Sequence, residues 1–300
     1  MEKGGTPGTD AIRVKGFWAA HRYLILRRFT QLALLALFLA GPLFGLWIIK
    51  GNMASSLTLD VLPLTDPLVA LQALLAGQSL EQAAITGVAI VVIFYLLVGG
   101  RVFCSWVCPI NIITDAAEWL RRKLNLKGGA HFSRTTRYWF LGAILLLSYF
   151  TGTIAYELIN PVSMVYRGLV FGMGLAWGII VGVFLLDLFV ARNAWCGHLC
   201  PVGAFYSLLG KAAMLRVTAD KRADCDDCMD CYAVCPESQV IKPALKGANK
   251  NLGPVIMSGQ CNNCGRCIDV CAKDVFHFTN RFNNQLPEST GVQQQREVSS

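Results

Sequence analysis

Charged residues are scarce in this sequence. Asp, Glu, Lys and Arg make up 15% of the 300 residues, whereas apolar residues make up 54% and the mean hydropathy is +0.46. Soluble domains carry about 25% charged residues, so this composition excludes an ordinary soluble protein. A helix that crosses a bilayer needs about 20 apolar residues. Four uncharged runs approach that length and are predicted to span a membrane: residues 29–49, 83–100, 138–156 and 168–186.

Several common functional motifs are absent. The chain has no nucleotide-binding glycine loop, no c-type haem motif and no convincing hydrolytic triad, which argues against nucleotide-dependent enzymes, c-type cytochromes and hydrolases. It also has no basic run with interleaved aromatics, so the net charge of +8 does not predict nucleic-acid binding. Lys and Arg instead cluster before the first predicted span and between the second and third, which places both termini in the cytoplasm.

The loop between the first two predicted spans, residues 50–82, contains one positive charge, Lys50. Its apolar stretch, residues 57–76, is interrupted by Asp60 and Asp66, and a carboxylate at membrane depth costs roughly 3 kcal/mol. We therefore expect an extracytoplasmic loop at the membrane interface. Aromatic residues near the ends of the spans, such as Tyr156, are expected to form interfacial belts.

Composition divides the chain into four segments. We predict an all-α membrane domain of four transmembrane helices followed by a small α+β domain of the two-cluster bacterial-ferredoxin type, because the polar, cysteine-dense region after the spans resembles a domain held together by metal. The predicted segments are a cytoplasmic N-terminal segment (1–28), the membrane domain (29–214), the ferredoxin-like domain (215–278) and a disordered tail (279–300).

All twelve cysteines fall into patterned groups, and none is left over. Because their segments are predicted to lie on the reducing cytoplasmic side, metal ligation is favoured over a disulfide framework. One pair of groups is a repeat in the membrane domain, each copy following a predicted span. The first repeat (101–109) contains Cys104-x3-Cys108-Pro109, and the second repeat (192–201) contains Cys196-x3-Cys200-Pro201.

The other two groups have the spacing of the bacterial ferredoxin run, C-x2-C-x2-C-x3-C, with Ala272 in place of the usual proline after the second run. In such a run the fourth cysteine ligates the other cluster, so two 4Fe-4S clusters with crossed ligands are predicted. A pair of zinc sites is the disfavoured alternative. Cluster one is assigned to Cys225, Cys228, Cys231 and Cys271, and cluster two to Cys261, Cys264, Cys267 and Cys235.

The two membrane repeats leave more alternatives open. Residues i and i+4 of a helix share a face, so each repeat could present two thiolates, and the duplication could bring all four together. Such a site could hold a third cluster or a soft metal ion, or act as redox-active thiols, and the plain alternative is buried free cysteine. The nearest titratable candidates for moving protons are Asp187 and His198. The competing expectations are an Asp187–Arg192 ion pair and an interfacial His198.

Together, the four spans, the Gly-Gly-Arg-Val-Phe-Cys-Ser-Trp-Val-Cys-Pro stretch, its second copy and the two ferredoxin runs resemble the NapH-type membrane ferredoxins over residues 15–280. The resemblance implies a bacterial inner-membrane protein that takes electrons from menaquinol or ubiquinol. It further implies an extracytoplasmic iron–sulfur partner and electron flow toward a periplasmic nitrate reductase. Relatives of that family serve nitrous oxide reduction, methylamine oxidation and copper-oxidase assembly.

These observations predict a membrane electron-transfer protein that oxidises quinol near the two repeats, and whether it is by itself an enzyme is left open. The first alternative is an iron–sulfur copper-handling reductase or maturation factor, since thiolates suit Cu(I). The chain has no Met-rich or His-rich stretch of the kind that often accompanies copper handling. The second alternative is a structural anchor that docks a soluble electron carrier.

Overall fold

A computed structural model describes residues 6–126, 129–130, 132–172 and 174–283. The chain forms two compact units. The larger unit comprises Arg22–Met214 together with Ser258–Cys264, and the smaller unit comprises the residues up to His21, Leu215–Met257 and the residues from Gly265 onward. The smaller unit begins with two short helices, α1 (Thr9–Lys15) and α2 (Phe17–Ala20).

The larger unit is mainly helical. Proline at the first position and a side-chain cap define two of its helix starts, because Asp66 accepts the Leu68 and Val69 amides and Asn160 accepts the Val162 amide. Its α-helices are α3 (Arg22–Phe44), α4 (Pro67–Leu75), α5 (Gln82–Val98), α6 (Ile110–Lys123), α7 (Thr136–Thr151), α8 (Pro161–Phe171), α9 (Gly174–Leu185) and α10 (Pro201–Gly210).

A small antiparallel sheet connects α3 to α4. Its strands are β1 (Ile49–Gly51), β2 (Ser55–Thr58) and β3 (Leu62–Thr65), with Ile49 opposite Thr58 and Leu57 opposite Pro63. Helix α4 is packed into the unit, since Leu68 and Gln72 are fully buried. The expectation that residues 57–76 lie at the membrane interface was therefore wrong for this helix, which begins at Pro67 and is capped by Asp66.

Of the helices in the described part of the chain, α3 alone is long and apolar enough to cross a membrane by length and composition. Gln82–Val98 and Ala176–Val190 are shorter apolar helices. The helical core contains Tyr95, Phe103, Leu141, Tyr156 and Tyr206. The ring centroids of Tyr95 and Tyr206 lie 4.9 Å apart, and Phe103 stacks on Tyr206 at 5.3 Å.

The rest of the smaller unit combines short helices and one sheet. Strand β4 (Leu215–Thr218) pairs antiparallel with β5 (His277–Asn280). The helices are α11 (Asp230–Val234), α12 (Ile241–Lys246) and α13 (Arg266–Val270). Strand β5 continues past residue 278, where the tail was predicted to begin, and residues 284–300 of that tail lie outside the described residues.

The two ferredoxin runs repeat one local geometry. Helices α11 and α13 each begin after a residue in the left-handed conformation, Met229 with φ 64° and Gly265 with φ 72°. This sharp turn lets a chain with cysteines three residues apart wrap around one point before the helix starts. The matching turns agree with the repeated cysteine spacing in the sequence.

Candidate metal centres

The two membrane repeats adopt the same backbone turn. Residues 103–107 and 195–199 are both π-helical, with the Cys108 amide donating to the Phe103 carbonyl at 2.9 Å and the Cys200 amide donating to the Trp195 carbonyl at 2.8 Å. The backbone angles also match, with φ −66° and ψ 119° at Cys108 and φ −65° and ψ 114° at Cys200. Single π-helical turns occur frequently at functional sites. The sequence repeat is thus a structural repeat.

The proline after each second cysteine has a local structural role. A proline restricts the residue before it to extended backbone, and both Cys108 and Cys200 are extended. Proline also fits the start of a helix, where its missing amide costs nothing. Pro109 and Pro201 accordingly lead into α6 and α10, so each repeat ends a π-turn and begins a new helix at the second cysteine.

All four membrane-domain cysteines line one cavity in the larger unit. The remaining wall of this cysteine cavity is almost entirely apolar, and Tyr156 is the one tyrosine among the described residues that line it. The four thiols surround a shared space. Within the described ranges, however, no three His, Cys, Asp or Glu side chains lie close enough together to hold a single metal ion. The lining residues are Phe103, Cys104, Cys108, Ile110, Tyr156, Pro161, Val162, Trp195, Cys196, Cys200, Val202 and Gly203.

Two groups point at the Cys200 sulfur. The Tyr156 hydroxyl is hydrogen-bonded to it, and the Gly203 amide lies 3.5 Å from Sγ. Tyr156 is 1% exposed, and its own amide donates to the buried Gln72 side chain at 3.1 Å. The expectation of an interfacial Tyr156 was wrong. Its position at the end of an apolar run did not distinguish a membrane-surface tyrosine from one folded into the core.

Buried polar side chains hold the first repeat in place from α3. Gln31 is fully buried and donates to the carbonyls of Ser105 and Cys108, at 2.9 and 3.3 Å. Arg28 pairs with Asp115 on α6. A glutamine in the middle of an apolar helix is the sequence signal that could have identified this contact, because an amide there needs buried partners.

The two proton-transfer candidates lie beside the second repeat. Asp187 is buried, and its Oδ1 accepts the Trp195 amide at 2.9 Å, which caps the start of the π-turn. The expected Asp187–Arg192 ion pair was wrong, because Arg192 pairs with Glu118 at 2.5 Å. His198 is buried, and its Nδ1 lies 3.4 Å from the Ser133 carbonyl. Neither Asp187 nor His198 is among the described residues that line the cysteine cavity.

The four cysteines assigned to cluster one line a second cavity, which lies in the smaller unit. Its other walls include Met229, Tyr232 and Phe276, and the Val275 amide lies 3.4 Å from the Cys271 sulfur. Amide hydrogen bonds to sulfur are typical of cluster ligands. The cysteines lining this cavity are Cys225, Cys228, Cys231 and Cys271.

The cysteines assigned to cluster two are divided between the units. Cys261 and Cys264 belong to the larger unit, and Cys235 and Cys267 belong to the smaller unit. This ligand set remains a prediction from the cysteine spacing.

An ion pair lies at the rim of the cluster-one cavity. Lys246 contacts the Asp227 carboxylate, and this bond holds the pKa of Asp227 below its ordinary value. Asp227 also lies 3.6 Å from the Cys225 sulfur. Both partners are well exposed, so water and salt screen their attraction.

A helical unit with a four-thiol cavity, together with a small unit carrying ferredoxin-type turns, defines a ferredoxin-type iron–sulfur protein. Two family models match the chain. The model described as a 4Fe-4S binding domain matches residues 80–127 and 173–218, which contain the two membrane repeats. The model described as a 4Fe-4S dicluster domain matches residues 224–275.

Similar curated proteins extend over nearly the whole chain. A ferredoxin-type protein NapH of Haemophilus influenzae is 48% identical over 92% of this chain and 96% of its own length, and NapH of Escherichia coli is 47% identical with the same coverage. A methylamine utilization ferredoxin-type protein MauN of Methylorubrum extorquens is 50% identical over 93% of this chain and 96% of its own length. The chain belongs to this NapH-type family of ferredoxin-type proteins. No solved structure matches it.

Proposed function

We propose that this protein is an integral membrane electron carrier that oxidises quinol and relays the electrons through iron–sulfur clusters to a periplasmic reductase system. The observation that carries the proposal is the cysteine cavity. Two repeats separated by about ninety residues bring four thiols to one space inside an apolar helical unit. Free structural cysteines have no need of a common cavity, whereas a metal cluster does.

The membrane assignment rests on composition and on helix properties. The long apolar helix α3, the shorter apolar helices Gln82–Val98 and Ala176–Val190 and the apolar run within α7 correspond to the four proposed spans. The distribution of Lys and Arg supports two cytoplasmic termini. The proposed location is the bacterial inner membrane.

The proposed cofactors are two 4Fe-4S clusters in the ferredoxin-like domain (215–278), which is called the tail from here on, and a third metal centre in the cysteine cavity. Clusters of this kind accept and release single electrons. Cys104, Cys108, Cys196 and Cys200 would hold the third centre, the Tyr156 hydroxyl and the Gly203 amide would donate to the Cys200 sulfur, and the apolar walls would exclude water. In this role the four thiols act as thiolate ligands, which a soft metal centre favours.

Quinol gives up two electrons and two protons when it is oxidised to quinone. We propose that it reacts near the two repeats, where single-electron centres can take its electrons one at a time. Asp187 and His198 are the candidate groups for the protons. Asp187 has one carboxylate oxygen engaged by the Trp195 amide and the other available to hold a proton in the buried interior.

The proposed destination is a periplasmic nitrate reductase chain, reached through an extracytoplasmic iron–sulfur partner. The similarity to MauN supports methylamine utilization as a second candidate pathway, because its identity is as high as that to NapH. Deleting the gene in its host separates the two. Loss of nitrate-dependent respiration alone supports the first, and loss of methylamine-dependent growth alone supports the second.

The alternative of copper handling rests on the same cavity, since four thiols also suit Cu(I). Cu(I)-dependent thiolate absorption that disappears when the four membrane cysteines are replaced would favour this function. Iron and acid-labile sulfide at the same cysteines would exclude it.

The proposed function is tested on anaerobically purified full-length protein by EPR before and after adding a reduced quinol analogue. Cluster signals that appear with quinol support the quinol dehydrogenase function. Clusters that respond to dithionite and never to quinol would contradict it, and would favour the maturation or metal-handling function.

A further inference from the structure

The segment Ser258–Cys264 lies between the two ferredoxin runs and includes the start of the second, yet it belongs to the larger unit. It carries Cys261 and Cys264, two of the predicted ligands of cluster two. A piece of the tail is therefore built into the helical domain that contains the cysteine cavity. The contacts that hold it identify which of the two membrane repeats it meets.

Glycines allow this segment to approach the helices at backbone distance. A Cβ atom on Gly259 would lie 2.2 Å from the Ser207 carbonyl and 2.7 Å from the Lys211 amide. A Cβ on Gly210 would lie 2.7 Å from the Gly259 carbonyl, and one on Gly100 would lie 2.3 Å from the Gly210 amide. Such distances do not occur for real Cβ atoms, so the close packing of these three glycines requires the absence of side chains.

Side chains of the first repeat donate hydrogen bonds to the carbonyls of this segment. The Ser105 hydroxyl donates to Asn262 at 2.8 Å, and the Trp106 indole N–H donates to Asn263 at 3.0 Å. Ser105 is buried and Trp106 is partly buried. These two residues lie between Cys104 and Cys108, so the loop that carries Cys261 and Cys264 is bonded directly to the turn that carries two cavity cysteines.

Arg101 connects this segment to both repeats. It lies three residues before Cys104 and is 1% exposed; its guanidinium donates to the Gln260 carbonyl at 3.1 Å and to the Cys196 carbonyl at 3.2 Å. A guanidinium stays charged and presents its donors in a rigid planar fork, which suits two fixed carbonyls in different segments. One side chain thereby fixes the tail segment relative to cysteines of both repeats.

The matching positions of the second repeat have different partners. Asn193 occupies the position of Arg101 and lies 3.5 Å from the Glu118 side chain, and His198 occupies the position of Trp106 and faces the Ser133 carbonyl. The two repeats share their turn and their cysteine spacing, and they differ at the three positions whose side chains contact Ser258–Cys264 in the first repeat, since Gly197 replaces Ser105 as well.

We propose that the tail exchanges electrons with the membrane cysteine site through the first repeat, and that Arg101 is the positioning residue that holds Ser258–Cys264 in place for this exchange. The inference rests on the proposed function, because it requires a redox centre at the membrane cysteines. Each transfer moves one electron, so the donor site is oxidised by one electron and the acceptor site is reduced by one. Quinol, the reductant proposed above, restores two electrons and releases two protons.

Three variants weaken the contact in different ways. Gly259→Ala places a methyl group against the Ser207 carbonyl, Arg101→Lys removes the fork, and Trp106→Phe removes one hydrogen-bond donor. Each has a matched control elsewhere in the larger unit. Gly142→Ala adds a methyl group to open space, Arg121→Lys alters a buried arginine that donates to the Leu188 carbonyl at 2.8 Å, and Trp119→Phe alters an exposed tryptophan.

The experiment adds about one electron per full-length chain as dithionite and follows its distribution between the tail clusters and the membrane site by freeze-quench EPR. It needs no quinol, so failure of quinol oxidation cannot be mistaken for failure of this inference. We expect Gly259→Ala and Arg101→Lys to slow the exchange several-fold, because electron transfer weakens steeply as two sites move apart, and Trp106→Phe to slow it less. The controls should match the wild type.

A second readout detects the docking itself. In the metal-free protein, Gly259→Ala should make Cys261 and Cys264 react faster with a thiol-alkylating reagent, while Gly142→Ala should not. Unchanged electron exchange in a variant whose cysteines have become reactive would overturn the inference. Electron exchange that slows equally in the variants and their controls, or a wild type with no redox signal at the membrane cysteines, would overturn it as well.

Discussion

The two membrane repeats have the same turn and different surroundings. Both form a π-helical turn that ends at an extended cysteine and leads into a helix through proline. The first repeat is covered by a tail segment and by buried Gln31, whereas the second is held by Asp187 and Glu118 from neighbouring helical segments. The shared turn is suited to a shared task, holding a pair of thiols. Among the described residues, the side chains that donate to the carbonyls of Ser258–Cys264 come from the first repeat, and one of them, Arg101, also donates to the Cys196 carbonyl of the second repeat.

The strongest prediction is that the repeats are equivalent in binding. Replacing Cys104 and Cys108 with serine, or Cys196 and Cys200 with serine, should abolish quinol oxidation and remove about four irons per chain, because each pair supplies half of one site. The EPR signals of the tail clusters should remain in both double variants. Retained quinol-dependent turnover in either one would remove the membrane cysteines from the mechanism.

Glu118 should be important only for the second repeat. It is 3% exposed and pairs with Arg122 at 2.9 Å as well as with Arg192. Glu118→Gln weakens these charged bonds and should lower the free energy of unfolding by roughly 2 kcal/mol. The measurement is thermal unfolding in detergent. Electron exchange between the tail and the membrane site, measured alongside, should not change, and a change there would contradict the separation of roles.

Tyr156 makes the surroundings of the two cysteine pairs unequal inside the cavity, and removing its hydroxyl measures what that difference does. Its hydroxyl is hydrogen-bonded to Cys200 of the second repeat. Tyr156→Phe keeps the ring packed and removes that bond, and fewer hydrogen bonds to ligand sulfur lower a cluster's reduction potential. Redox titration of the membrane centre should therefore show a lower midpoint, with the iron content unchanged. An unchanged midpoint would show that the hydroxyl has no effect on the centre.

The smallest expected effect lies at the exposed Asp227–Lys246 pair near cluster one. Lys246 lowers the pKa of Asp227 in the folded protein, so the pair stabilises the fold above the ordinary carboxyl pKa, and this contribution is lost as the pH falls through the lowered value. Lys246→Met should therefore be slightly less stable than the wild type at pH 7, and the difference should vanish in acid. Denaturant unfolding at both pH values measures it, and a difference that persists in acid would contradict the ion-pair explanation.

The cysteine pattern was the most informative part of the sequence. Spacing predicted a cluster held by Cys225, Cys228, Cys231 and Cys271, and the duplication suggested that the four membrane cysteines meet. Each set of four lines one cavity, and the two ligand sets stay predictions. Both patterns are encoded locally, because a few residues determine each turn. The NapH-type resemblance, which rested on these motifs in combination, is confirmed by relatives that match over most of the chain.

Long-range packing was not predictable in the same way. The core position of Tyr156, the burial of α4 and the attachment of Ser258–Cys264 to the first repeat depend on segments far apart in the chain. A tyrosine at the end of an apolar run has the same hydropathy whether its side chain faces lipid or packs against a cysteine in the core. A single glycine such as Gly259 likewise signals only a flexible position until its partner backbone is known.

The central claim is that the two repeats together form one metal site in the membrane domain. Iron and acid-labile sulfide should be measured per chain in anaerobically purified wild type and in the variant with Cys104, Cys108, Cys196 and Cys200 all replaced by serine. About twelve irons in the wild type and about eight in the variant, with the tail clusters intact, is the predicted result. About eight irons in both proteins would contradict the claim and leave the cysteine cavity without an iron–sulfur centre.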